Sequence, residues 1–297
     1  MTLPLNCLRR NEPLANRTSF RIGGPAEYFA EPSSLDELVG LLREAYREGI
    51  PVSVVGGGTN TLAADRGIRG LVIHLGKAFR TIQTISQPEE STALVACGAA
   101  LLTQRLVGLA ASEGWGDLDG LAGLPGQIGG AVVMNAQDIG RFVERIRLVS
   151  PSGELRELSQ RQLRFSYRYS QLPPGILTEV MLRFPKIPPQ EAASRIRQAF
   201  TCRNTTQELR LPSAGCAFRN PSAGPSAGRL IDQAGLKGAR IGDAQVSWRH
   251  ANFIVNLGQA SCGDVLALME YIQRQVGRQF HTLLEPEVRI MGQALSQ

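Results

Sequence analysis

Apolar residues recur at helical spacing in four stretches of the chain, which we predict to be helices: residues 33–49, residues 101–113, the first part of residues 187–210, and residues 263–279. Two of them carry clear end signals. Ser34 with Glu37 forms a capping-box pair before the first helix, and Gly49 ends it. Ser261 with Asp264 precedes the last helix, whose apolar face is Val265, Leu268, Met269, Ile272 and Val276.

Short apolar runs between turn residues predict strands. Residues 51–55 and 71–75 have the composition of buried strands, and residues 145–184 alternate short strand-like runs with turns. The chain ends in a predicted strand over residues 287–291, in which Val288 and Ile290 pack inwards and Glu287, Arg289 and Met291 face outwards. This arrangement predicts an α+β fold with a domain boundary near residues 190–210.

Composition narrows the class of protein. A length of 297 residues suggests about two domains. The net charge of +6 suits anionic partners such as nucleotides and sugar phosphates. Basic residues are interleaved with acidic ones and no aromatic RNA-binding motif is present, so no nucleic-acid partner is expected. No run is long enough for a membrane span, and the first residues carry no secretory signal.

Cysteine and histidine usage argues against a metal centre. The five cysteines are odd in number, widely spaced and never arranged as CxxC: Cys7, Cys97, Cys202, Cys216 and Cys262. This pattern fits neither a disulfide framework nor a zinc site, and favours a reducing cytoplasm. With only three histidines, a His-rich metal site is also not expected.

The first glycine loop, residues 56–60 (Gly-Gly-Gly-Thr-Asn), follows a predicted strand directly. Unhindered backbone N–H groups in such a loop can converge on a phosphate. The dinucleotide-binding fingerprint does not fit, because Thr61 stands where the third glycine belongs and no helix follows. The Gly-Lys-Ser/Thr of a P-loop is absent as well. A tight surface turn remains the alternative.

The second glycine loop, residues 123–131 (Gly-Leu-Pro-Gly-Gln-Ile-Gly-Gly-Ala), is apolar between its glycines. That composition is atypical of a solvated linker and favours close approach of the backbone to a flat or phosphorylated ligand. A glycine-rich bulge or barrel corner is the structural alternative.

Eight motifs occur in order along the chain. They are residues 18–26 (TSFRIGGPA), the first glycine loop, the second glycine loop with Met134-Asn135-Ala136, residues 165–170 (FSYRYS), residues 212–221 (PSAGCAFRNP), residues 228–236 (GRLIDQAGL), residues 250–253 (HANF) and residues 284–289 (LEPEVR). Together they resemble the UDP-N-acetylenolpyruvylglucosamine reductase family of peptidoglycan precursor synthesis, over about residues 16–292.

The resemblance implies a two-lobed FAD-binding unit of the vanillyl-alcohol-oxidase type over residues 1–75 and 76–200. An α+β substrate-binding domain would follow over residues 201–297. The short stretch between Phe184 and Arg203 has no room for the extra tyrosine-bearing loop of one branch of the family, so the chain is similar to the shorter, second type.

The resemblance also implies FAD as cofactor and NADPH as hydride donor, in a cytoplasmic enzyme expected to be a monomer. Neither glycine loop contains His or Cys, so the FAD is expected to be bound non-covalently. No separate Rossmann domain is visible, and NADPH is expected to alternate with the substrate in one site. The implied flavin-binding residues are Gly56, Gly57, Gly58, Thr59, Asn60, Gly123, Pro125, Gly126, Gly129, Gly130 and Ala131.

The implied reaction reduces an enolpyruvyl ether, which needs a cation or acid for the developing enolate charge and a proton donor. The resemblance places Arg168 at the substrate carboxylate, and strand alternation would put its side chain on the same face as Ser166 and Ser170. Glu287 is the expected acid that polarises the enolate. Cys216 stands where the family usually has a serine proton donor; a free thiol is otherwise most often an inert, buried side chain.

Seven further residues are expected to contact the substrate by their position: Tyr167, Arg203, Asn220, Arg229, His250, Asn252 and Arg289. Each has a structural role as its alternative, and for His250 that role would be capping a strand. One segment departs from the family pattern, because Gln137-Asp138-Ile139 replaces the usual glycine and aromatic residue or His after Met-Asn-Ala.

Two alternatives to the reductase are a flavin oxidase or dehydrogenase of the same fold acting on another substrate, and a nucleotide-sugar-binding protein without catalysis. An oxidase would turn over with oxygen and need no reductant. A non-catalytic protein would be favoured by loss of Arg168, Glu287 or a proton donor, and all three positions are filled.

Overall fold

The computed structural model describes residues 8–85, 91–208 and 210–292; Cys7 lies outside them. The helices are α1 (Leu35–Arg47), α2 (Thr103–Glu113), α3 (Ile128–Val133), α4 (Pro189–Thr206), α5 (Ala227–Gln233) and α6 (Cys262–Phe280). Among the described residues, no helix combines the length and the apolarity needed to cross a membrane.

The first twelve strands are β1 (Leu8–Pro13), β2 (Pro25–Ala30), β3 (Val52–Val54), β4 (Thr61–Ala63), β5 (Ile68–Ile73), β6 (Ile82–Thr84), β7 (Thr92–Gly98), β8 (Val143–Val149), β9 (Leu155–Ser159), β10 (Arg164–Ser166), β11 (Tyr169–Gln171) and β12 (Ile176–Pro185). The remaining strands are β13 (Ser213–Cys216), β14 (Arg240–Ile241), β15 (Ala244–Val246), β16 (Phe253–Asn256) and β17 (Arg289–Met291). The mixture of helices with largely antiparallel sheets confirms the α+β prediction.

The described chain divides into two compact units. Unit 1 contains residues 8–9, 29–57, 71–85 and 91–203, and unit 2 contains residues 10–28, 58–70, 204–208 and 210–292. Unit 2 thus takes in two segments from the N-terminal quarter of the chain. The division into flavin-binding lobes and a substrate-binding domain is a functional one and stays a prediction.

Unit 1 is built on a five-stranded antiparallel sheet in the order β6-β7-β12-β8-β9. The central strand β12 is the longest described strand, and most of its residues are buried, which fits its apolar sequence. Phe184 at the end of this strand packs against Trp115 and Phe142, with ring centroids 6.0 and 5.1 Å apart. Strand β3 pairs in parallel with residues 71–73 of β5 and leads directly into the first glycine loop.

Unit 2 contains a four-stranded antiparallel sheet in the order β13-β16-β15-β14 and the parallel pair β4 and β17. Helix α6 covers this unit's core with the apolar face expected from its sequence, and Ser261 and Asp264 form the reciprocal capping box. Asp65 also accepts hydrogen bonds from the first two amides of α6, Cys262 N at 2.7 Å and Gly263 N at 3.0 Å. A carboxylate at this end of a helix is stabilising.

The local predictions hold with two exceptions in side-chain direction, and the predicted strand over residues 287–291 begins only at Arg289, which leaves Glu287 outside it. Helix α1 begins after Ser34, which accepts from Glu37 N, and Gly49 follows its end with a left-handed φ of +65°. The inward packing predicted for Ile290 is wrong: its side chain is 38% exposed, because β17 pairs only with the three residues of β4. The second exception, at Arg168, belongs to the candidate site.

Candidate active site

The two glycine loops meet within unit 1. A Cβ built on Gly56 would lie 3.2 Å from Oε1 of Gln127, in the second glycine loop. In the described part of the chain, no hydrogen bond has the amide of Gly56 or Gly57 as donor. A Cβ on Gly130 would meet nothing within 4 Å. Gly130 therefore leaves open space, and Gly56 and Gly57 offer backbone donors, which fits the phosphates and flat ring of a flavin nucleotide.

The second glycine loop is fastened to residues 99–104. Ile128 N donates to Leu101 O at 2.9 Å, and Gly129 N donates to Ala99 O at 2.8 Å. The side chain of Gln104 holds the loop's first half: Nε2 donates to the carbonyls of Leu121 and Leu124, at 3.0 and 2.7 Å, and Oε1 accepts from Gly123 N at 3.0 Å. The loop is therefore fixed by hydrogen bonds to the protein and is not a solvated linker.

At position 58, the third glycine of the first loop, the protein's own packing explains why the residue is glycine. Its φ is +64°, and a Cβ there would lie 2.1 Å from the carbonyl oxygen of Arg17. Both residues belong to unit 2, and Gly58 O accepts from Ser19 N at 3.1 Å. Close approach of the Arg17 backbone, independent of any ligand, thus requires glycine at this position.

Asn60 links the end of the first glycine loop to the C-terminal segment. Its Nδ2 donates to Glu287 O at 3.3 Å, and its own carbonyl accepts from Arg289 N at 3.0 Å. The loop is thereby joined, within unit 2, to the residue expected to polarise the enolate.

Arg168 does not lie in a strand, so its predicted alternation with Ser166 and Ser170 is wrong. Strands β10 and β11 pair Ser166 with Tyr169, which leaves Tyr167 and Arg168 as the two-residue connection of a hairpin. Arg168 has a left-handed φ of +54°, and its guanidinium carbon lies 5.6 Å from the centroid of the Tyr167 ring. A non-glycine residue in this conformation is uncommon and is found at tight turns and at functional sites.

The segment that departs from the family pattern is also left-handed. Gln137 has φ +52° and ψ +36°, and Asp138 has φ +55° and ψ +34°. Glycine adopts these angles without steric cost, which gives a physical reason for the family's usual glycine. This chain uses two side-chain-bearing residues at some cost in backbone energy.

Cys216 and Glu287 come together in unit 2. The amide of Glu287 donates to the carbonyl of Ala217 at 2.8 Å, and Arg219 N donates to Glu285 O at 2.9 Å. Cys216 is half-buried and lines a cavity of about 10 Å³ whose other walls are apolar, including Phe20, Met269 and Val288.

The other described cysteines are less suited to chemistry. Burial is the main cause that raises the pKa of the Cys97 thiol to about 12 and that of Cys262 to about 11, so both stay protonated in neutral solution. Cys202 is exposed on α4.

Asn252 and His250 are held by protein groups. Asn252 is 3% exposed; its Oδ1 accepts from Phe218 N at 3.0 Å and its Nδ2 donates to Phe218 O at 2.7 Å. His250 Nδ1 accepts from Asn252 N at 3.3 Å, and burial is the first cause that lowers the pKa of this imidazole. The Asn252 side chain therefore fixes the backbone at Phe218, just beyond the strand that carries Cys216, and His250 accepts from the Asn252 backbone.

Of the remaining residues predicted to contact the substrate, two form hydrogen bonds to backbone groups of the protein and three are exposed. Asn220 Oδ1 accepts from Ala227 N at 3.1 Å, beside the start of α5. Arg203, in unit 1, donates through Nη2 to Gly120 O at 2.9 Å, just before the second glycine loop. Tyr167, Arg229 and Arg289 are exposed.

Three residues with a place in the site geometry were missed by the sequence reasoning: Gln104, Gln127 and Asn135. Each is a single amide side chain with no spacing pattern of its own. Gln127 and Asn135 had a signal, since each lies inside one of the eight motifs, whereas Gln104 had none.

Comparison with known proteins agrees with this geometry. A family profile described as an FAD binding domain matches residues 26–159, and the C-terminal domain profile of UDP-N-acetylenolpyruvoylglucosamine reductase matches residues 207–291. The glycine loops and these matches define a flavin-binding oxidoreductase.

The full-length relatives are more specific. The chain is 41% identical to UDP-N-acetylenolpyruvoylglucosamine reductase 2 of Symbiobacterium thermophilum, over 96% of this chain and 92% of that one. It is 42% identical to the reductase of Syntrophotalea carbinolica, over 95% and 94%. The crystal structure of the Thermus caldophilus reductase matches with a TM-score of 0.79 and 37% identity, over 96% and 99%. The chain belongs to the UDP-N-acetylenolpyruvoylglucosamine reductase family.

Proposed function

We propose that this chain reduces the enolpyruvyl ether of UDP-N-acetylglucosamine enolpyruvate to UDP-N-acetylmuramate, in the synthesis of the peptidoglycan precursor. Membership of the reductase family over nearly the whole chain supports the substrate and the use of NADPH. The observation that carries the proposal is the backbone hydrogen bond from Glu287 N to the carbonyl of Ala217, the residue next to Cys216, in a chain that also contains an FAD binding domain.

FAD fits the open backbone of the two glycine loops, and we place its pyrophosphate and ring there without a covalent bond. FAD bound there would supply the redox chemistry, which is hydride transfer from NADPH to the terminal carbon of the substrate's double bond. The amides of Gly56 and Gly57, which donate no hydrogen bond within the described part of the chain, would serve as anion donors, and the space at Gly130 would admit the ligand.

The protein supplies charge and a proton. Arg168 binds the substrate carboxylate, where negative charge grows as the hydride arrives, because a guanidinium matches a carboxylate bidentately. Glu287 polarises the enolate that forms. Cys216 gives its thiol proton to the ether-bearing carbon, which completes the addition of one hydride and one proton across the double bond.

We assign roles to the other seven predicted substrate-contact residues from their exposure and their hydrogen-bond partners. Tyr167, Arg229 and Arg289 are exposed and suited to direct contact with the uridine nucleotide or sugar. Arg203, Asn220, His250 and Asn252 already hold backbone or neighbouring groups, so we assign them to positioning of the segments that carry the site. We propose that the enzyme acts as a monomer in the cytoplasm.

The test is a pair of anaerobic half-reactions on the purified protein. We expect a yellow flavin spectrum that NADPH bleaches and that UDP-N-acetylglucosamine enolpyruvate restores, with UDP-N-acetylmuramate as product by mass spectrometry. Colour that returns with oxygen but not with the enolpyruvyl substrate would identify an oxidase instead. A flavin that neither NADPH nor substrate affects would identify a non-catalytic binding protein.

A further inference from the structure

The hairpin that carries Arg168 is tied at both sides to the segment that follows the second glycine loop. Asn135 Nδ2 donates to Ser166 O at 2.9 Å, on the first strand of the hairpin. Ser170 Oγ donates to Val133 O at 2.7 Å, from the second strand. All of these residues belong to unit 1. The connection of Tyr167 and Arg168 therefore lies between two tethered residues.

Asn135 is itself fixed. It is 5% exposed, and its Oδ1 accepts from Gly140 N at 2.9 Å, so both ends of the amide bind backbone. Its φ of +43° is a conformation that asparagine tolerates better than most residues. A Cβ at Gly140 would lie 2.3 Å from Cγ of Phe165, so glycine at this position lets the hairpin pack closely.

The hairpin needs such support. Strands β10 and β11 have three residues each and form a two-stranded sheet of their own. An isolated two-stranded ribbon is marginal at best in water. The tethers at Ser166 and Ser170 therefore help to hold the connection that carries Arg168 in place.

We propose that Asn135 and Ser170 are positioning residues for Arg168, and that they couple its place to the second glycine loop. The inference rests on the proposed function, in which Arg168 binds the carboxylate of the enolpyruvyl substrate. Neither residue touches the reacting atoms. Their effect is confined to the step in which substrate reoxidises the flavin, because only that step needs Arg168 at the carboxylate.

The experiment follows the two half-reactions of the holoenzyme separately, in Ser170→Ala and Asn135→Asp. We expect NADPH to bleach the flavin at the wild-type rate in both variants. Reoxidation by the enolpyruvyl substrate should slow by about tenfold to a hundredfold, the cost of a small displacement of a reacting group. Ser112→Ala, which removes an equivalent hydroxyl bond to Leu109 O within α2, is the matched control and should leave both steps unchanged.

Asn135→Asp also gives a pH signature. The carboxylate keeps the acceptor for Gly140 N but cannot donate to Ser166 O, and it faces Asp138, whose Oδ1 lies 3.4 Å from the present Nδ2. Burial and this like charge favour the protonated acid, which can donate to Ser166 O again. Reoxidation in this variant should recover as the pH falls from about 8 to about 5.5 relative to wild type, which a merely structural defect would not do.

Hydrogen exchange provides a readout that needs no turnover. In the apoprotein, the peptide covering residues 163–172 should exchange faster in Ser170→Ala than in wild type, while Ser112→Ala leaves it unchanged.

The outcomes are distinct. Wild-type reoxidation in both variants, with a slow Arg168→Ala, would overturn the positioning role and leave the proposed function standing. Equal slowing of both half-reactions would also overturn it, since the effect would then be general. Wild-type reoxidation in Arg168→Ala would remove the role proposed for Arg168, and this inference with it.

Discussion

The amide of Glu287 donates to the carbonyl of Ala217 at 2.8 Å. This hydrogen bond joins Glu287, the proposed acid, to the residue that follows Cys216 in the chain. Phe218 and Pro286 form an antiparallel bridge beside it. Asn252 in turn holds both backbone groups of Phe218. The proposed proton donor, at the end of β13, and the proposed acid, just before β17, therefore lie on two segments joined by backbone hydrogen bonds.

Cys216→Ala tests the proton donor. NADPH should still bleach the flavin, but reoxidation by the enolpyruvyl substrate should fall by about a hundredfold to ten-thousandfold, the usual contribution of a general acid. Stopped-flow absorbance of the flavin measures both steps. Cys216→Ser should retain substantial turnover and a flatter alkaline limb, because a hydroxyl does not titrate where a thiol, with an ordinary pKa of about 8.5, does. Turnover of the alanine variant at the wild-type rate would assign the proton to another group or to water.

Gly130→Val tests the flavin site. The new side chain meets no protein atom within 4 Å at its Cβ, so the chain should fold, but it would fill the space assigned to the ligand. We expect colourless apoprotein with a normal circular dichroism spectrum. Gly108→Val in helix α2 is the matched control, since a Cβ there also meets nothing within 4 Å, and it should stay yellow. A fully yellow Gly130→Val would move the flavin away from this loop.

His250 predicts a pH dependence of stability. Because its pKa in the folded protein is lowered from 6.5, the unfolded chain takes up the proton first as the pH falls. The folded state should lose stability below about pH 6.5 and be unaffected by this group above it. His250→Asn keeps an acceptor for Asn252 N without titrating, so its free energy of unfolding in urea should fall less than that of wild type between about pH 7 and about pH 5. Parallel curves for the two proteins would contradict this account.

Gln137→Gly should stabilise the protein. Gln137 has a left-handed φ of +52°, and relief of that conformation outweighs the entropy that glycine adds to the unfolded chain, for a net gain of about 1 kcal/mol. Urea unfolding measures it. Gln198→Gly in helix α4 is the control and should cost about 1 kcal/mol. A loss of stability in Gln137→Gly would mean that the packing of its side chain near Gly120 is worth more than the strain.

Local features of this chain were determined by its sequence. Helices α1, α2 and α6 follow the apolar spacing, and α6 has the capping box that Ser261 and Asp264 indicate, because helix periodicity and capping depend on residues within a few positions of each other. The ordered motifs also identified the family, which the full-length relatives confirm.

Only the tertiary structure showed which distant segments position the site residues. Asp65 caps a helix 197 residues further on, Asn60 reaches the carbonyl of Glu287, and Gly58 is required by the Arg17 backbone. Strand alternation failed at Arg168, because a two-residue connection and an αL backbone interrupt the strand there. Hydrophobic periodicity depends only on residues that are close together in the sequence. These contacts instead join segments that are far apart in the sequence, and the packing of the whole unit decides which segments meet.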